Sequence, residues 1–123
     1  MVKRAFEKVE SEIRKEKAEA LGRVGERLER TLLEIEVLRA EILTLGKTIL
    51  QGRIEDGDGI MMEQIDRRLE EHARLRQEAM QLRFSLIIQR EALGLWRHED
   101  VDRQYPVPGR LPNPIVKPDG EER

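Results

Sequence analysis

The chain has 123 residues, 39% of them charged and 3% aromatic, with a net charge of −2 and no cysteine. That length allows one domain at most. The near-neutral charge supplies no field to attract nucleic acid or an anionic membrane, and the missing cysteines exclude disulfides and thiol chemistry. Ala, Glu, Leu, Arg and Lys dominate, the composition of coiled coils and helical bundles. Met1–Glu7 lacks the apolar core of a secretory signal. The longest apolar run, Leu86-Ile87-Ile88, is far short of a membrane span. The expectation is a soluble cytoplasmic protein without membrane contact.

Residues 2–50 are expected to form one helix. Phe6, Val9, Ile13, Leu21, Val24, Leu28, Ile35, Leu38, Ile42, Leu45 and Ile49 keep three-four spacing, and no proline occurs before Pro106. Leu32, Leu33, Val37, Leu43 and Leu50 widen the apolar stripe in the second half. Gly22 and Gly25 each cost about 1 kcal/mol in a helix interior. With Ala18 they form a small-residue face suited to close packing.

Residues 51–59 read as a turn, with Gly52 as a left-handed cap and Asp58 as the N-cap of the next helix. Asp56-Gly57-Asp58-Gly59 invites a calcium reading. It fails, because placing those acids at the third and fifth positions of a calcium loop puts Ile54 first and Ile65 twelfth.

Residues 60–93 form the second predicted helix. Met62, Ile65, Leu69, Ala73, Met80, Phe84 and Ile87 approach an eleven-residue repeat, which predicts little left-handed supercoil. Glu63–Arg67 and Glu70–Arg74 are i,i+4 pairs. Around Leu82–Trp96, the most apolar stretch, two stripes run side by side. Met80, Phe84 and Ile87 form one; Leu75, Ala79, Leu82, Leu86 and Leu93 form the other. A hairpin neighbour covers one stripe, so the second implies a partner, most simply another copy of the chain.

Gly94 is expected to end this helix, with Leu95 and Trp96 folding back over the cap. His98–Gln104 reads as a short third helix. Residues 106–123 hold all five prolines and read as an extended tail. With the turn centred near residue 55, residue i faces about residue 110 − i, which leaves the start of helix one uncovered. Trp96, Val101, Tyr105 and Val107 are therefore expected to pack on Phe6, Val9 and Ile13, of the same chain or of the dimer mate.

The stretches Ala20-Leu21-Gly22-Arg23-Val24-Gly25 and Gln89-Arg90-Glu91-Ala92-Leu93-Gly94-Leu95, followed by Tyr105-Pro106-Val107-Pro108, resemble motifs of a family of short bacterial helical proteins. The resemblance covers about a third of the chain. The family has no known activity, so it implies no catalytic or binding role. The tail beyond Pro108 extends further than the resemblance leads one to expect.

Little chemistry is visible. His72 and His98 do not supply the three or four convergent ligands of a metal site, and neither serine, Ser11 or Ser85, has a histidine at helical spacing. No catalytic residue and no cofactor is expected. Arg76, Arg83 and Arg90 recur every seven residues. They form either an anion site, since guanidinium binds carboxylate and phosphate in bidentate fashion, or a row that snorkels beside the seam and pairs with acids. Residues 60–97 carry seven arginines against six acids, and helix one eleven bases against ten acids. Nucleic-acid binding needs several uncompensated cations, and this balance argues against it.

The expected protein is all-α. Residues 1–105 form an antiparallel hairpin of two long helices with a short third helix, and residues 106–123 the Pro-rich tail. Two hairpins form a four-helix bundle, with Leu75, Leu82, Leu86, Leu93, Phe84 and Ile87 at the core and dimer interface. The function expected is a non-enzymatic oligomerisation or scaffold module, with a protein partner for the tail as an added possibility. The alternatives are a nucleic-acid-associated helical dimer and a small bundle enzyme with an Arg-lined site.

Overall fold

The computed structural model describes residues 2–52 and 58–115. Three helices carry it: α1, Val2–Leu50; α2, Asp58–Ala92; and α3, Glu99–Gln104. The described residues contain no strand. Residues 53–57, including Asp56 of the turn, and 116–123 lie outside the described residues. So does the side chain of Asp58, although α2 begins at that residue.

Glycine ends both long helices. Gly52 adopts φ 64° and Gly94 φ 83°, the left-handed backbone that a Cβ disfavours. At Gly94 the amides of Gly94 and Leu95 donate to the carbonyls of Glu91 and Arg90 at 2.9 Å, a double-bonded cap that reverses the chain. Trp96 does not fold over this cap: it is 70% exposed.

The chain divides into two compact units, residues 1–30 with 79–107, and residues 31–78 with 108–123. In the first, the buried residues are Gly25, Leu28, Ala79, Leu82, Leu86 and Val101. In the second they are Thr31, Ile35, Ile42, Gly46, Ile65, His72 and Leu75. Each large aliphatic side chain among them contributes about 1.5–3 kcal/mol by its burial. In the second unit Glu41 meets Arg68 at 2.9 Å, one residue from the pairing expected for a turn near residue 55. Later residues of α1 lie against earlier residues of α2 here, so the two segments run antiparallel.

The buried side of α2 follows heptads, not an eleven-residue repeat. Ile65, His72, Ala79 and Leu86 are seven apart, and so are Leu75 and Leu82. Met62, Met80 and Phe84 of the expected series are exposed instead, Phe84 by 66%. Of the set expected at the core and dimer interface, Leu75, Leu82 and Leu86 are buried within the chain itself, Leu93 and Ile87 are half-buried, and Phe84 is on the surface.

The expected tail cluster does not form within the single chain. Val101 is buried, 2% exposed, and Tyr105 and Val107 are half-buried. Phe6, Val9 and Ile13 are exposed, as is every described residue from Val2 to Glu19. The reason is the reversal at Gly94, which brings the following chain back along α2. Arg90 donates to the Arg97 carbonyl at 2.9 Å, and Arg83 pairs with Asp102. Rising numbers on the returning chain therefore meet falling numbers on α2.

Glycines provide the seats for the returning segment. A Cβ at Gly25 would lie 3.1 Å from the Tyr105 hydroxyl. Of the predicted small-residue face, Gly25 alone is packed against: Gly22 has open space around it and Ala18 is exposed. In the second unit, a Cβ at Gly46 would lie 2.6 Å and 2.9 Å from the Pro114 ring. Proline is too rigid to yield there, so a side chain at Gly46 would displace the segment.

Candidate functional site

In the second unit, residues 108–115 form a strap along α2. Pro108 accepts a hydrogen bond from Arg76 Nε at 2.8 Å. Leu111 borders Leu69 and Ala73, and the Asn113 amide lies 3.5 Å from the Asp66 carboxylate. Asn113 also accepts a 2.9 Å hydrogen bond from the Ile115 amide, which closes a local turn.

The three arginines spaced by seven thus share one task. Arg76, Arg83 and Arg90 hold Pro108, Asp102 and Arg97 respectively. Two of these partners are backbone carbonyls, each accepting a single hydrogen bond from a guanidinium. Each reaches the chain's own C-terminal segment within its unit, Arg76 through Nε alone.

His72 is 2% exposed and stands at a core position of α2. Burial, and then the Arg76 and Arg39 guanidiniums, hold its ring below the ordinary histidine range. A neutral ring is the form that fits an apolar seam. His72 lines a cleft of about 360 Å³ with Leu69, Arg76, Arg110 and Leu111. His98, the other histidine, lies 3.4 Å from Glu91. Among the described residues no group of three or more His, Asp or Glu side chains is placed to hold a metal ion.

The neutrality of His72 sets a pH dependence. The unfolded chain takes up a proton at this ring more readily than the folded one, so protonation favours unfolding. Stability from this residue is complete above about pH 6.5, the ordinary histidine value, and declines as pH falls below it. Urea midpoints at neutral pH and at about pH 5.5 are expected to differ, with the lower midpoint at acid pH. His72→Gln should flatten that difference; an equal pH slope in the variant would refute the assignment. Glu71 does not confuse the window. Its hydrogen bond from Arg74 holds it below the usual carboxylate range, so its effect arises only at more acid pH.

The second unit has a further surface feature. Leu33, Val37, Leu38 and Leu45 of α1 and Leu75 of α2 line two clefts of about 360 and 530 Å³ that share Val37. Leu75 is the buried floor; Leu33 and Val37 are 62% and 58% exposed. Glu34, Glu41, Arg68 and Glu71 stand along the same clefts.

Sequence reasoning singled out Arg76 and Gly25 but missed Gly46, Arg110 and the buried role of His72. The heptad positions of Ile65, Ala79 and Leu86, with His72 between them, carried the last signal. No family model, curated protein or solved structure matches this chain.

Proposed function

We propose that this chain is a non-enzymatic helical self-association module, in which two hairpins pair through the groove of Leu33, Val37, Leu38, Leu45 and Leu75 to give a four-helix bundle. One observation carries the reading. These clefts are apolar, and Leu33 and Val37 project from them into solvent with no cover from the described chain. Water is a poor neighbour for such a stripe, and a second copy removes it. The rim carries both signs, with Glu34, Glu41 and Glu71 beside Arg68. A surface of mixed sign can complement itself across a twofold axis. The nucleic-acid reading is weakened because Arg76, Arg83 and Arg90 are engaged by the chain itself.

The test is solution mass. Light scattering at micromolar concentration is expected to give twice 14.4 kDa. Leu33→Glu with Val37→Glu should give the single-chain mass while the helical circular dichroism persists. A monomeric parent, or a double variant that remains a dimer, would overturn the proposal.

A further inference from the structure

We infer that the cleft beside His72 is a binding site for a small organic oxyanion, a carboxylate or phosphate carried on a compact apolar body. This site is separate from the self-association groove, and its argument does not depend on that reading.

The cleft unites two elements of the second unit: α2 provides Leu69, His72, Ala73, Arg76 and Gln77, and the strap provides Arg110 and Leu111. Its charged residues are both arginines, with no acid among the lining side chains. At about 360 Å³ it sits at the small end of the range for ligand pockets. Arg76 uses Nε to hold Pro108, and its two terminal nitrogens meet no acceptor among the described residues. Arg110 has no partner among them either, and His72, almost fully buried, makes no hydrogen bond there. A neutral imidazole carries one N–H donor, so an oxyanion in this cleft can accept from the ring and from both guanidiniums together. Leu69 and Leu111 give the apolar walls that an organic body needs and a bare inorganic ion does not.

Because Arg110 and Leu111 belong to the strap, a bound anion fastens the strap to α2. Gln77, on the rim, is a neutral donor able to add a contact to the same oxygen atoms.

Phenyl phosphate, benzoate and inorganic phosphate would be titrated into the full chain, with the His72 ring followed by NMR. At least one of the two aromatic anions should bind saturably, more tightly than inorganic phosphate, and shift the His72 resonances. Comparing the two distinguishes a phosphate from a carboxylate preference. Arg110 is exposed and makes no hydrogen bond among the described residues, so the fold should survive Arg110→Gln; a lost charge-assisted hydrogen bond should weaken binding by about tenfold. Arg23→Gln, on the exposed face of α1 in the other unit, should leave affinity unchanged. The inference is overturned if neither aromatic anion saturates by about 10 mM, far weaker than specific recognition, or if His72 does not respond. Equal affinity in the Arg110→Gln variant would overturn it as well.

Discussion

Leu82→Glu with Leu86→Glu is expected to unfold the chain rather than to separate a dimer. The two leucines are 8% and 4% exposed, beside Ala79, which is fully buried. Each substitution removes an aliphatic contribution of about 1.5–3 kcal/mol. Each also places a carboxylate where it must either protonate or draw in water, at a further cost of a few kcal/mol. A domain of this size has about 5–15 kcal/mol of stability in total, so the pair exhausts it. Far-ultraviolet circular dichroism should show most of the helical signal lost at 25 °C, with no cooperative melt above it. A helical, cooperatively melting monomer would show that these leucines lie at an intermolecular surface after all. The contrast with Leu33→Glu and Val37→Glu is the point of the pair: glutamates on exposed positions of α1 should change mass and spare the fold.

The helices themselves were legible. Three-four spacing, with one polar gap around Arg14–Lys17, defined α1, and Gly52 and Gly94 marked its end and that of α2 because a left-handed cap strongly favours glycine. The inward side of α2 was not legible from its most conspicuous residues. Met62, Met80 and Phe84 attract attention as apolar, yet the inward positions include His72 and Ala79. A polar ring and a small methyl interrupt the hydrophobic signal that would otherwise have revealed a seven-residue repeat. The half-buried side chain of Arg68 obscures it further.

The site was legible only by halves. The spacing of Arg76, Arg83 and Arg90 was plain in the sequence. Two of their acceptors, the carbonyls of Pro108 and Arg97, were not, because every residue owns a carbonyl and none advertises it. Gly46 was overlooked for a related reason. Its use depends on Pro114, remote in sequence, and no local pattern links the two. The returning path of the tail was likewise hidden. Helix length alone showed that Phe6, Val9 and Ile13 lacked a hairpin partner, but the direction of the chain after Gly94 follows from the hydrogen bonds of one turn.

Ending the chain at Arg97 is therefore expected to destabilise it without affecting the start of α1. The truncation removes Val101, whose burial contributes about 1.5–3 kcal/mol. It also removes Asp102 and Pro108, the acceptors for Arg83 and Arg76. Both bonds are partly solvated and add less than their buried equivalents, so a total loss of about 3–5 kcal/mol is expected. Hydrogen exchange gives the spatial test. In the first unit, amides near Gly25 should exchange faster once the Tyr105 ring is gone. In the second, amides near Gly46 and from Asp66 to Arg76 should do the same, because the strap no longer covers them. Residues 4–14 should exchange as in the full chain, since Phe6, Val9 and Ile13 are already exposed. Faster exchange in residues 4–14 would mean that the tail does reach Phe6, Val9 and Ile13. No change near Gly25 or Gly46 would mean that the strap does not hold its place in solution.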